Sequence, residues 1–453
     1  MQPLPKEFEE QMKRLLGEAG FFAYLDALNQ PYTRALRVNL LLRPDGTPPC
    51  PIEGLGAPVP WAKGAYFVEG DARPGLSPLH EGGLFYMQEP SALTAVTALD
   101  PQPGERVLDL CAAPGGKSTQ IAALMAGRGL LCCNEPIPSR AQILSRNIER
   151  MGVRNAVVLS AMPDALAPRF PAFFDRILVD APCSGEGMFR RQPEARDEWN
   201  ADAPHRCADR QMEILAQAAK MLRPGGTMVY STCTFNDTEN EGVLKRFLAL
   251  HPEFSLVPFA LPGLPEAKDG YLHLYPHEMR GEGHFVSRLK KADGADEADA
   301  PVQAAPQRKA PARAAAKGKA PAPIALPDVF SDAFAPERLY TAGDALWMLP
   351  EGISIERLSG LRVLRTGLLL AHAEGKRSEP DHALAMALRP EEAARTASLT
   401  QTQALAYQAG ETLSLGDLPG GYTLLCCEGV SLGWGKQAGG LMKNHYPKGL
   451  RRR

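Results

Sequence analysis

The 453-residue chain has no uninterrupted apolar run approaching the roughly 18 to 20 residues that cross a bilayer, so no membrane span is expected. Its first 17 residues carry Lys6, Glu7, Glu9, Glu10, Lys13 and Arg14, an acidic content foreign to signal and transit peptides; a cytoplasmic protein is expected. An excess of charge of one sign is also missing, since 50 Lys and Arg face 52 Asp and Glu. Contact with a polyanion must then rest on local basic patches. The nine cysteines show no C-x-x-C spacing, which argues against a zinc site and a disulfide framework; no metal is expected, and reduced thiols are. Aromatic residues are sparse at 7%, yet 44% hydrophobic and 23% charged residues suit a globular chain. The 42 Gly and 41 Pro promise many turns, and the length suggests about three domains.

One segment is nearly devoid of large apolar side chains: ADGADEADAPVQAAPQRKAPARAAAKGKAPAP, from position 292. Such a composition cannot offset its ordering entropy by burial, so residues 292–325 are expected to be a disordered linker, acidic in its first half and basic in its second. Residues 86–291 alternate strand-like runs with helical periodicity, the pattern of a parallel sheet with crossover helices. RVLDLC (106–111), LLCCNE (130–135), AVVLS (156–160), RILVDAP (176–182) and TMVYSTC (227–233) suggest strands. Residues 117–126, 139–151 and 205–222 suggest helices, with a Pro-Gly-Gly turn at 224–226 after the last. The class is α/β, a doubly wound, Rossmann-like core. Residues 1–85, with an amphipathic helix over 8–25 followed by RALRVNLLL (34–42), suggest a small α+β accessory domain. Residues 326–453 suggest a further α+β, β-rich region, in one or two parts. Its last stretch holds Lys436, Lys443, Lys448, Arg451, Arg452 and Arg453, no acid, and Tyr446. Basic groups interleaved with a stacking ring suit a nucleic-acid contact, with a merely solvated tail equally compatible.

A strand ending in a Gly-rich turn at a helix start is where parallel sheets bind nucleotide-like cofactors. In VLDLCAAPGGKST (107–119), a phosphate-binding loop would need Gly where Cys111 stands, and G-x-G-x-x-G is absent. What remains is a small-residue loop, Ala112, Ala113, Pro114, Gly115 and Gly116 between Cys111 and Lys117, open to a phosphate-free ligand such as S-adenosylmethionine. Glu135, at the end of the second strand, fits an acceptor for ribose hydroxyls, or else a helix-start acid.

Two further strands deliver thiols to the same edge of the sheet. FDRILVDAPCSGEGMFRR (174–191) ends its strand with Asp180 and Cys183, and YSTCTFNDTENEG (230–242) ends its strand at Cys233. A single such cysteine is usually packing; two invite chemistry. Cytosine C5 is too poor a nucleophile to take a sulfonium methyl group unless a thiolate first adds to C6. A carboxyl such as Asp180 can stabilise the charge that appears at N3. These patterns leave open whether Cys183 or Cys233 attacks.

With RALRVN (34–39), FYMQEPSAL (85–93), CAAPGGKS, NEP (134–136), DAPCSGEGMFRR, YSTCT, LYPHEMRGEGHF (274–285), EPDHALAMAL (379–388) and MKNHYPKGLR (442–451), the chain resembles the RNA (cytosine-C5) methyltransferases of the Sun family, in particular the bacterial RsmF type that modifies 16S ribosomal RNA. The resemblance implies S-adenosylmethionine held by residues 111–117, Glu135 and Asp180. It implies Cys233 as nucleophile and Cys183 in release of the covalent intermediate, whereas DNA cytosine methyltransferases use the earlier Pro-Cys. It implies ribosomal RNA or the small ribosomal subunit as partner, no DNA, and a monomer. Relatives often place an Asp after the third strand for the adenine amine; here Met162 aligns there, with Asp164 two residues on, so a backbone group at Met162 or a displaced Asp164 is expected to serve. Gln88 and Ser91 are expected to border the methionine end of the cofactor, with a capping role for Ser91 as the alternative. The same reaction on transfer RNA or 23S ribosomal RNA, a noncatalytic assembly factor and a phosphate-loop ATPase are the rival functions.

Overall fold

The computed structural model describes residues 4–294, 324–375 and 377–452. Nearly all of the linker read at 292–325 lies outside the described residues, as does Arg453. Among the described residues no helix is long and apolar enough to cross a membrane.

The short apolar strands Arg106–Asp109, Leu130–Asn134, Ala156–Leu159, Phe174–Asp180 and Leu222–Thr232 pair in parallel, in the spatial order 222, 174, 106, 130, 156. They are apolar on both faces because helices cover both. One face packs Leu131, Val158 and Leu178 with Ile121, Leu144 and Ile148; the other packs Leu108, Ile177 and Val179 with Leu215, Ala218 and Phe247. The chain reverses direction of travel between Arg106–Asp109 and Phe174–Asp180, which opens a crevice at their carboxyl ends. Antiparallel strands complete one edge: His284–Lys291 pairs with Leu222–Thr232 and also carries Tyr271–Leu274 and Phe254–Leu256. The sheet is therefore mixed. The Pro-Gly-Gly expected as a turn at 224–226 lies inside Leu222–Thr232, where the pairing with Phe174–Asp180 shifts register; a bulge takes up the glycines and proline there.

The first helix, Lys6–Leu28, is longer than read and kinks at Gly17, whose φ is 68°. After it come four strands, in the order Leu55–Pro58, Ala65–Val68, Arg34–Val38, Phe85–Gln88. The C-terminal region forms two more four-stranded sheets, one from Leu339–Ala342 to Arg377–Pro380 and one from Thr396–Ser398 to Leu441–Asn444.

These outer parts are stitched into the whole. Val363–Arg365 adds an antiparallel strand to Ala156–Leu159, extending the central sheet. Arg154 binds the buried Glu392, and Arg365 binds Glu149. Leu36, Val38 and Phe85 share one apolar core with Tyr407, Leu425 and Leu432. Tyr446 is 3% exposed and packs edge-on against Tyr407 and His382, so it offers no stacking surface to a nucleic acid. Arg452 is likewise engaged, donating to the carbonyls of Leu76 and Ser77.

Candidate active site

The loop after Arg106–Asp109 is built from small residues so that its backbone can turn tightly under the next helix, Gly116–Leu124. Gly115 has φ +111°, a left-handed conformation that glycine alone adopts freely. A Cβ at Gly116 would stand 3.2 Å from the Tyr86 ring and 3.3 Å from the Gln88 amide carbon; the missing side chain lets the helix start dock on the N-terminal strand Phe85–Gln88. Arg37, 1% exposed, clamps the same corner by donating to Gly116 O at 3.2 Å and Thr119 Oγ1 at 2.8 Å.

This loop forms one wall of a cleft of about 670 Å³, within the usual range of small-molecule sites. Cys111, Ala112, Ala113, Pro114, Gly116, Lys117, Asp180 and Cys233 all line it. At its centre Lys117 Nζ donates to Asp180 Oδ2 at 2.7 Å, and Ser231 Oγ donates to Asp180 Oδ1 at 2.8 Å. His284 Nε2 stands 3.5 Å from Asp180 Oδ1, near enough for charge but without a formed hydrogen bond. Burial opposes the charge on Asp180, yet Lys117 and then His284 outweigh it and hold the carboxyl well below the usual range. Burial likewise opposes the charge on Lys117; Asp180, and after it Cys233, keep the ammonium protonated beyond its ordinary range.

The two thiols meet. Cys183 Sγ lies 3.1 Å from Cys233 Sγ and accepts a hydrogen bond from the Cys233 backbone N–H at 3.3 Å. Contact with Cys233 and burial push the Cys183 thiol well above its ordinary pKa, which favours the protonated form. Two acids within the quoted motifs, without an assigned part in the sequence reading, hold the loops in place. Glu186, 1% exposed, accepts from the backbone N–H groups of Phe235 and Asn236 at 2.8 and 3.1 Å. Glu239, fully buried, accepts from Ser184 N at 3.0 Å, Gln211 Nε2 at 2.8 Å and Asn236 Nδ2 at 2.8 Å. Acids three and six residues past the cysteines, amid small residues at strand ends, were the signal available for them.

Other expected residues stand back from the cleft. Glu135 is 3% exposed; its Oε1 accepts from Ile137 N at 2.9 Å and its Oε2 lies 3.3 Å from Arg140. Arg140 itself lines the cleft, whereas Glu135 is not among the lining residues. Met162 is 61% exposed at the start of the short helix Pro163–Leu166, and neither it nor Asp164 is among the lining residues. Gln88 lines the cleft, whereas Ser91 is fully buried, with its hydroxyl on Glu89 and no cap on a helix.

The cleft suits S-adenosylmethionine. Its floor carries nothing larger than a methyl group at Ala112, Ala113 and Gly116, so backbone can approach a bulky ligand. Asp180, Lys117 and Arg140 line the same cleft and offer carboxylate and cationic partners to the charged and hydroxyl-bearing groups of such a ligand. A crevice of this make, at the reversal point of a sheet with parallel strands, defines a methyltransferase dependent on S-adenosylmethionine.

Comparison with known proteins narrows the class. Residues 96–290 match the family model described as 16S rRNA methyltransferase RsmB/F. Residues 4–90 match the N-terminal domain of 16S rRNA methyltransferase RsmF, 327–388 the RsmF rRNA methyltransferase first C-terminal domain, and 394–452 the methyltransferase RsmF PUA domain. The chain is 34% identical to the ribosomal RNA small subunit methyltransferase F of Erwinia tasmaniensis, over 98% of this chain and 96% of that one, and 35% identical to that of Enterobacter sp. strain 638, over 98% and 95%. It belongs to the RsmF branch of the 16S rRNA methyltransferase RsmB/F family. A methyltransferase homolog from Pyrococcus horikoshii matches in structure with TM-score 0.53 and 30% identity over 63% of this chain and 95% of that one. NSun6 from the same organism, solved with SFG, shares the fold with TM-score 0.55 at 23% identity, over 64% and 99%.

Proposed function

We propose that the chain methylates C5 of cytidine in 16S ribosomal RNA through a transient bond between Cys233 Sγ and C6 of the base. The observation that carries the reading is the 3.1 Å approach of Cys183 Sγ to Cys233 Sγ, Cys233 itself lining the cleft together with Asp180 and Lys117. Cys233, as thiolate, attacks C6; the electron pair moves toward C5 and negative charge develops at N3 and O2. Lys117 and Asp180 would bind that end of the ring, the cation neutralising developing charge and the carboxylate orienting the exocyclic amine. S-adenosylmethionine supplies the electrophilic methyl group. Solvent water takes the C5 proton, the C–H electron pair re-forms the C5–C6 double bond, the S–C6 bond breaks and Cys233 leaves as a thiolate. Cys183, its thiol 3.1 Å from that sulfur, would steady the departing thiolate with an S–H···S hydrogen bond while keeping its own proton, which supports a part in release.

Glu135 and Asp180 would hold the cofactor, with the loop 111–117 against it; Glu135 reaches it once Arg140 gives way. Backbone at Met162 or the Asp164 carboxylate would meet its adenine from farther out. The outer domains would position RNA by its shape and backbone, and the target base must leave its stack to reach Cys233. The enzyme works as a monomer in the cytoplasm on ribosomal RNA or the small subunit, and not on DNA.

The test is methyl transfer from labelled S-adenosylmethionine to 16S ribosomal RNA, naked and in the small subunit, with bisulfite sequencing of the product. One or more protected cytidines are expected. Incorporation into 23S ribosomal RNA or transfer RNA alone would move the same reaction to that substrate, and cofactor-independent binding with no incorporation into any of these RNAs would leave a noncatalytic assembly factor.

A further inference from the structure

Where the cleft opens, Tyr32 is 46% exposed. Isolated exposed rings are common on protein surfaces; the setting of this one is not. Tyr32 lines the cleft that contains Cys233 and Lys117, and it also lines the two grooves leading away, one past Gln30 and Pro193 and the other past Gly70 and Arg280. It thus stands where the cleft and the two grooves meet.

Its backbone is fixed although its ring is open. The next residue, Thr33, donates its N–H to Glu282 Oε1 at 3.1 Å. Glu282 is buried and receives the guanidinium fork of Arg190 with both bonds at 2.7 Å, and Arg190 Nη1 donates to Ala27 O at 2.6 Å. Arg191 places its guanidinium 5.6 Å from the Tyr32 ring centroid. Among the described residues, Arg191 has no ion-pair partner and the Tyr32 hydroxyl has no hydrogen-bond partner.

We propose that Tyr32, with Arg191 beside it, is the stacking platform for an unpaired nucleobase next to the target cytidine. This rests on the cleft being the site of RNA cytosine methylation. When the cytidine turns into the cleft its neighbour loses a stacking partner; an anchored ring at the exit replaces it, and the unpaired guanidinium meets the intervening phosphate. Stacking is indifferent to base identity, so the platform holds the strand without reading its sequence.

The full-length protein tests this. The cytidine that the wild type methylates in 16S ribosomal RNA is first located by bisulfite sequencing, and short RNAs carrying it are made with 2-aminopurine on either side. Tyr32→Ala is expected to raise KM for the RNA about tenfold, change kcat little, leave affinity for S-adenosylmethionine and the melting temperature as in wild type, and relieve fluorescence quenching at one flanking position. Tyr32→Phe should recover most of the lost affinity, and Arg191→Ala should raise KM less than Tyr32→Ala does. Unchanged KM and quenching in Tyr32→Ala would overturn the platform, as would equal losses in Tyr32→Phe and Tyr32→Ala. A wild type that methylates no cytidine would instead overturn the underlying reaction, and only that arm reports it.

Discussion

Glu186 and Asn236 bind each other twice: Oε2 accepts from the Asn236 backbone N–H at 3.1 Å and Oε1 from its Nδ2 at 3.0 Å. The pair ties the loop carrying Cys183 to the loop carrying Cys233, with Gln11 Nε2 and Trp199 Nε1 also donating to Oε1. Glu186→Gln presents an amide donor to a site made of donors. A loss of roughly 2–4 kcal/mol in unfolding free energy is expected, with kcat reduced about a hundredfold as the sulfurs lose register. Denaturant unfolding and single-turnover methylation check the two effects.

Cys233→Ala is expected to abolish methyl incorporation and any covalent complex with RNA. Cys183→Ala should still form the S–C6 bond but fail to release it, giving a retarded protein–RNA band on a denaturing gel. An exchange of these phenotypes would exchange the roles. Each substitution removes one half-buried sulfur and is expected to cost only about 1 kcal/mol of stability.

Asp180→Asn takes away the charge that Lys117 faces at 2.7 Å and should lower kcat by about 10²–10³ with smaller effects on RNA affinity. Because Lys117 and His284 hold the wild-type carboxyl below the usual range against its burial, its protonation should impose no acid limb on the rate above about pH 4. A kcat profile across pH 5–9, corrected for unfolding, reads this.

Asp109 is fully buried beneath the cofactor loop, with Ser118 Oγ donating to Oδ2 at 2.6 Å and no partner on Oδ1. Burial pushes its pKa up to about 7. The folded protein therefore keeps a proton that the unfolded chain releases near pH 4. This contribution to stability is fully present below that pH and lost as pH rises through about 7, a change on the order of 4 kcal/mol. Asp109→Asn should flatten it: the difference in unfolding free energy between variant and wild type should shift in favour of the variant from pH 5 to pH 8. A constant difference across that range would refute the assignment.

Much of the site was legible because it is local. The strands ending at Cys111, Asp180 and Cys233 announce themselves by short apolar runs, and parallel strands of one sheet must deliver their ends to one edge, so the loop 111–117, Asp180, Cys183 and Cys233 gather as expected. The surroundings of Glu135 and Met162 are less legible in sequence. Met162 is exposed and Glu135 is buried against Arg140, since a side chain's exposure depends on how the strands and helices around it pack. Tyr446 misled for a related reason: a ring among basic residues looks the same in sequence whether it faces water or, as here, packs on Tyr407.

Local residue order dictates the core strands and helices, the small-residue loop and the pair of strand-end thiols, because apolar runs and turn chemistry are properties of neighbouring residues. Only the tertiary structure decided that Val363–Arg365 extends the central sheet, that the N-terminal strands share a core with residues 399–446, and that Glu186 and Glu239 fasten the two cysteine loops. Those contacts join residues about 50 to 400 positions apart, and their partners are chosen by shape and by the need to satisfy buried polar groups once the chain has folded, which no local pattern encodes.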